Sequence, residues 1–192
     1  MKLGVVITAS FCTLKKTLVI LNSLKDNGYD IYPVLSNKVI EYDTRFGKAQ
    51  DFINEVKKIS GKKIVSDIVD AEKFGPVNKM DAMLVIPATG DFMAKMANSI
   101  TDNAANLAVK ATLRNQSPII IAVSTNDGLS LSGQNIVKLM NLKNVYFVPF
   151  GQDDYQKKPN SLVAHFDMVI PTIESALNGK QIQPVLKEYE KK

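Results

Sequence analysis

The chain predicts an α/β fold, a parallel sheet covered by helices on both faces. Three observations carry this. Short apolar runs, LGVVIT, DIYPVLS, DAMLVI, SPIIIAVS and VYFVPF, alternate with segments of helical periodicity. The runs are apolar on successive residues, as in strands buried on both faces. The hydroxyl-rich loops follow the strands, which puts a ligand edge at the strands' carboxyl ends.

Taken in order, residues 3–8 read as the first strand. Residues 13–25 form a helix, with Leu14, Leu18, Leu21 and Leu24 on one face and Asn27-Gly28 closing it. A second strand covers 30–36, and 37–47 is a polar loop. Residues 49–59 are helical, with Phe52, Ile53, Val56 and Ile59 aligned. A short strand is expected at 63–66, and 67–79, containing Gly75-Pro76, reads as a connection. A third long strand runs over 81–86. Two short helices follow, one carrying Lys95 and one opened by Thr101-Asp102-Asn103. Residues 117–124 and 145–150 are strands, with a helix over 133–142 between them. The closing helix is predicted over 161–177, its apolar face Leu162, Phe166, Ile170, Ile173 and Leu177, with a kink at Pro171. One domain over residues 1–180 results, Rossmann-like or flavodoxin-like in three layers, with right-handed crossovers. The tail 181–192 has no core of its own, so it is expected to fray or dock on a partner.

Composition narrows the function. The net charge is +5, but the lysines fall in scattered pairs and only Arg45 and Arg114 are arginines. A concentrated basic stripe for nucleic acid is missing. The single cysteine, Cys12, excludes an internal disulfide and suits a reducing cytosol. The apolar run 3–7 is too short for a signal segment, and no run reaches membrane-spanning length. A soluble cytoplasmic protein is expected. With one histidine, His165, and one cysteine, no zinc cluster and no Ser–His–Asp set can be assembled, so no metal is expected. His165 is read as a surface or structurally satisfied residue, and Cys12 as half-buried.

Residues 81–115 carry the sharpest signal. A strand runs into Pro87-Ala88-Thr89-Gly90, and a second helix start follows at Thr101-Asp102-Asn103. Small residues let backbone approach a ligand, and helix N-termini present free N–H groups to a phosphate. The Walker spacing is absent. A phosphate-bearing cofactor other than a nucleoside triphosphate is therefore expected. Thr8, Ala9 and Ser10 after the first strand, and Ser36 after the second, lie at the same edge. Each hydroxyl has a plainer reading as a helix cap or turn residue. Arg45 and Arg114 can each grip a carboxylate with a bidentate fork, or form structural ion pairs. Ser124 and Asn126 suit substrate or flavin-edge contact, or an Asx turn before Gly128.

The segment PATGDFMAKMANSITDN at 87–103 resembles the flavoprotein family of FMN-dependent cysteine decarboxylases and flavin prenyltransferases, whose stretch reads roughly P-A-[ST]-x-x-x-[IML]-A-K-x-A-x-G-I-x-D-N. Ser99 stands where that family has glycine, Thr101 where it has alanine, and Ala9 where its first loop has T-G-[SA]. With TRFG at 44–47, KATLRN at 110–115, AVSTNDGLSLSG at 122–133 and VYFVPFGQDDYQKKPNS at 145–161, the likeness narrows to the B subunits of dipicolinate synthases. It runs from about Leu3 to about Pro184.

That resemblance implies FMN held by Thr8, Ala9, Ser10, Ser36, Pro87, Ala88, Thr89, Lys95, Thr101 and Asp102. Arg45, Ser124 and Asn126 are then the substrate contacts, for a small dicarboxylate. It implies oxidation of a dihydrodipicolinate-type precursor to pyridine-2,6-dicarboxylate in spore formation. A partner A subunit would carry the NAD(P) site, and the chain would form homo-oligomers built from trimers, with the small-residue helix 104–111 suited to the contact. No catalytic residue is assigned. The decarboxylases' catalytic histidine and flap cysteine have no counterpart, since Ser66-Asp67 occupies the corresponding region. Two other readings stay open: a decarboxylase or prenyltransferase of this fold, and a non-catalytic partner that keeps a vestigial flavin pocket.

Overall fold

A computed structural model of the chain describes residues 1–187. Strand β1 (Lys2–Ile7) lies at the centre, with β2 (Asp30–Leu35) and β3 (Ala82–Ala88) parallel on either side. Next come β4 (Ile119–Thr125), parallel to β3, and β5 (Val145–Phe147), parallel to the first half of β4. The parallel order is therefore 2-1-3-4-5, and it reverses between β1 and β3. Every residue of β3 is buried, the mark of a strand covered on both faces.

Helices α1 (Leu14–Asp26) and α3 (Ala49–Ser60) pack together in one layer. The other layer joins α4 (Ile68–Glu72), α5 (Gly90–Ala97), α6 (Ala104–Arg114) and α7 (Gly133–Met140). A short α2 (Asn37–Glu41) follows β2. Among the described residues, no helix is long and apolar enough to cross a membrane.

The structure departs from the sequence reading in several places. Segments 37–47 and 67–79 are not plain loops but hold α2 and α4. The latter is capped by Asp67, whose carboxylate accepts the Asp70 N–H at 2.8 Å. The strand expected at 63–66 shrinks to one bridge, Val65 beside Val34. Pro149 splits the run 145–150 into β5 and β6 (Phe150–Gln152), because proline cannot donate to a ladder.

The closing helix is corrected most. Its first half is β7 (Leu162–Ala164), antiparallel to both β4 and β6, followed by a 3-10 turn at Phe166–Met168. Only α8 (Val169–Leu177) is α-helical. Pro171 causes no kink, because it falls in the first turn, where a helix has no acceptor for its N–H.

The small-residue face of α6 is consumed within the chain, with Ala104, Ala105 and Ala108 essentially inaccessible. It is not a free face for contact between copies. Residues 181–187 fold back on their own chain. The Gln181 amide accepts from the Phe147 N–H and donates to its carbonyl, both at 2.7 Å, and Lys187 N–H donates to Phe150 O at 3.0 Å. Residues 188–192 lie outside the described part.

Candidate functional site

The reversal of strand order opens a crevice at the carboxyl ends of β1 and β3, where such sheets bind ligands. Thr8 ties the two loops together there. Its hydroxyl donates to Pro87 O at 2.7 Å, accepts the Thr89 N–H at 3.1 Å and lies 3.1 Å from the Thr89 hydroxyl. Thr89 in turn caps α5 by accepting the Phe92 N–H at 3.4 Å. Thr8 is thus buried and fully engaged. Pro87 and Ala88 form the floor beneath the crevice rather than its lining.

Above this floor lies a cleft of about 1460 Å³. That exceeds the roughly 300–1,000 Å³ of a single-ligand pocket and leaves room for a cofactor and a small substrate together. Ser10 and Ser124 meet across it, their hydroxyls 2.9 Å apart, linking the β1 and β4 loops. Ala9 and Asn126 also line it. Ser36 is the most telling member. Among the described residues, its Oγ is the buried side-chain polar atom without a partner. Such an orphan costs about 1–3 kcal/mol, and a ligand oxygen in the cleft would satisfy it.

The cations sort into two groups. Lys38 pairs with Asp91, Lys95 with Asp102 at 3.0 Å, and Lys158 with Asp153 at 2.7 Å. Arg45 and Lys16 line the cleft without an ion pair among the described residues. Arg45 sits on a tight turn closed by paired backbone bonds between Thr44 and Gly47, its guanidinium 4.9 Å from the centre of the Phe46 ring. Arg114 ends α6 close to Gly75, away from the cleft.

Lys95 and Asp102 belong to a polar chain that couples α5 to α6. Hydrogen bonds from Lys95 and then Asn103 hold the Asp102 carboxyl below the usual carboxylate range. Asn103, not Thr101 or Asp102, caps α6, its Oδ1 accepting the Asn106 N–H at 3.0 Å. Asn106 Nδ2 reaches Phe92 O at 3.2 Å. Asn103 and Asn106 line the cleft, whereas Thr101 does not. Thr101 does not cap α6, because the helix starts two residues later than its hydroxyl could serve.

A second knot holds the β4 loop. Asp127 accepts from the Thr125 hydroxyl and from Ser132 Oγ at 2.9 Å. Gly90 packs against all three side chains, and any Cβ there would collide with Ser132. The residues on either side of Asn126, Thr125 and Asp127, are thereby fixed against the start of α5.

Two cleft residues run against the sequence reading. Cys12 is exposed rather than half-buried. His165, read from sequence as a surface or structurally satisfied residue of the closing helix, follows the strand β7 instead and lines the cleft. No local pattern marks it, since its position depends on β7 pairing with β4. Among the described residues, no group of His, Cys, Asp or Glu could hold a metal ion.

Comparison with known proteins agrees with this architecture. The flavoprotein family model matches residues 1–174. The chain is 41 % identical over 187 residues to the B subunit of dipicolinate synthase from Bacillus subtilis (strain 168), covering 97 % of this chain and 94 % of that one. The crystal structure of the corresponding B subunit of dipicolinate synthase from Bacillus halodurans C superposes with a TM-score of 0.89 at 44 % identity, over 97 % and 96 % of the two chains. That of the FMN-dependent cysteine decarboxylase SpaF shares the fold alone, with a TM-score of 0.67 at 19 % identity over 93 % and 95 %. With the 2-1-3-4-5 sheet, the crevice at its switch point and these matches together, the chain belongs to the flavoprotein family, among its dipicolinate synthase B subunits.

Proposed function

We propose that the chain binds FMN in the cleft and serves as the B subunit of a two-subunit enzyme oxidising a dihydrodipicolinate-type precursor to dipicolinate. One observation carries the reading. Ser36, whose buried hydroxyl has no partner among the described residues, and Arg45, without an ion pair among them, line one cleft over the Thr8–Thr89 junction. An anionic cofactor group suits the first, and a substrate carboxylate suits the second.

Ser36, Ser10 and the backbone at Ala9 and Thr89 would hold the FMN phosphate and ribityl chain. The Lys95–Asp102 pair would flank the flavin. Bound FMN supplies a hydride acceptor, and the protein positions it. Ser124 and Asn126, from the β4 loop, would contact the substrate with Arg45. The A subunit would bring NAD(P). Cytoplasmic placement during spore formation and assembly into trimer-based oligomers are part of the same proposal. Exposed Leu129, Leu131 and Val137 on and before α7 are candidate contacts between copies, now that α6 is spent. Decarboxylation is the weaker reading, because Ser66-Asp67 stands where the decarboxylases' histidine is expected and the one cysteine sits in the β1 loop.

Titration with FMN, followed by quenching of flavin fluorescence, tests the cofactor. Wild type should saturate. Ser36→Ala should bind about ten- to a hundredfold more weakly, the loss of a hydrogen bond to a charged group, while apo-protein stability stays level or rises. Co-purification with an A subunit and appearance of pyridine-2,6-dicarboxylate test the reaction. A chain that ignores FMN, or a complex that forms no dicarboxylate, would overturn the corresponding half.

A further inference from the structure

We propose that His165 is the catalytic base of the cleft, taking the proton that a dihydropyridine dicarboxylate loses as its ring becomes aromatic. This rests on the dipicolinate-forming reading above. His165 is the chain's only histidine. Its backbone N–H donates to Pro149 O at 2.8 Å, and its carbonyl accepts from Met168 N–H at 2.9 Å. The ring is therefore carried on a fixed frame. That frame is keyed to the substrate side of the cleft, because β7 pairs with β4 with Val163 opposite Ser124, two residues before His165. His165 is half-buried and lines the cleft; its ring has no hydrogen-bond partner among the described residues, and Nε2 lies beside Gly151 of β6.

Elimination strengthens the assignment. Of the carboxylates lining the cleft, Asp91, Asp102 and Asp153 are held by lysines. Asp127 takes two hydroxyls, and Asp154 accepts the N–H groups of Gln156 and Lys157 at 3.2 and 3.1 Å. The oxygens of these carboxylates are already committed to partners on the chain. Asp167 is left, exposed on the turn after His165. Imidazole is the side chain most often used as a general base. The charged groups on elements around it are Asp153 and Lys158, Asp167, Lys187 of the tail segment bonded to β6, and Lys16 on α1, which packs against the 166–168 turn.

The step balances. One ring carbon gives up its hydrogen as hydride to an acceptor of the flavin or nicotinamide class. The neighbouring carbon gives up a proton to a His165 ring nitrogen, and the electron pair of that C–H bond becomes the new ring double bond. Pyridine-2,6-dicarboxylate, reduced acceptor and imidazolium result, and the imidazolium returns its proton to solvent.

The test uses the complex with the A subunit, this chain alone carrying ¹⁵N-labelled histidine, so that the only imidazole signals are those of His165. Adding pyridine-2,6-dicarboxylate should move both ring nitrogens. His165→Gln should lower the rate of dipicolinate formation roughly 10²–10⁴-fold, the usual worth of a general base. It should also flatten the acid limb of the pH–rate profile and leave FMN quenching unchanged. Ring signals that stay put while calorimetry registers the dicarboxylate binding would overturn the proposal. So would a His165→Gln complex of wild-type rate with an unaltered acid limb. A wild-type complex that forms no dipicolinate brings down the functional reading and this inference with it, whereas an active wild type beside an equally active His165→Gln sinks the inference alone.

Discussion

The Thr8 hydroxyl meets the Pro87 carbonyl at 2.7 Å, joining strands whose residues lie 79 positions apart in sequence. The same oxygen accepts the Thr89 N–H. One side chain thus sets the spacing of the two loops that form the crevice. Replacing Thr8 by valine keeps the shape and removes the hydroxyl, leaving the Thr89 N–H and Pro87 O without this partner. Unfolding in urea should show a loss of about 1–3 kcal/mol, and Thr8→Ser should recover most of it. If valine is tolerated at no cost, the junction is held by packing alone.

Ser99 gives a prediction of the opposite sign. It sits just past α5 at φ 59°, in the left-handed region. Its N–H donates to Met96 O at 3.2 Å and the Ile100 N–H to Lys95 O at 2.9 Å, the double bond pattern that glycine usually closes. A Cβ in that conformation costs roughly 1–2 kcal/mol, partly offset in glycine by the freer unfolded chain. Ser99→Gly should raise stability by about 0.5–1 kcal/mol, read as a melting shift of about 1–4 °C. A lower melting temperature would mean the serine side chain contributes something the backbone geometry does not reveal.

Asp70 provides the pH dependence. Hydrogen bonds from Lys73 and Lys63 pull its carboxyl down to about 2. The folded value lies below the ordinary value of 3.8, so the stabilisation is present above about pH 4 and fades as pH falls toward 2. The pair is open to solvent, so salt should weaken it. The melting-temperature gap between wild type and Asp70→Asn should close across that acid window and narrow in high salt. A gap that widens on acidification contradicts the assignment.

Arg45 and Arg114 separate binding from structure. Arg45 lines the cleft without an ion pair among the described residues, while Arg114 ends α6 beside Gly75. Losing a charge-assisted carboxylate contact should cost roughly 1.5–3 kcal/mol, about ten- to a hundredfold in kcat/KM for dipicolinate formation. Arg114→Ala should leave that constant unchanged, because a cation at a helix C-terminus contributes only about 0.3–1 kcal/mol, and to folding. Equal rates in the two variants would reduce the 44–47 turn to a structural element.

By itself, the sequence determined the α/β class, the four long strand runs up to β4 and the start of the fifth, and the hydroxyl-rich loops at their carboxyl ends. All of these follow from local chemistry: β-branched runs, helical spacing, and short polar side chains that cap their own neighbours. Tertiary structure decided the rest. Residues 161–168 carry a helical spacing, yet Leu162–Ala164 form a strand, because the open edge of β4 offers hydrogen bonds that no local pattern encodes. That pairing alone brings His165 into the cleft. The Lys95–Asp102 pair, the Asn103 cap that displaced Thr101, and the use of α6's small face inside the chain likewise depend on how α5, α6 and the sheet meet. Ser36 shows the division most clearly. Its position after β2 was legible in sequence, but whether its hydroxyl found a partner was settled only by what packed around it, and none of the described residues does.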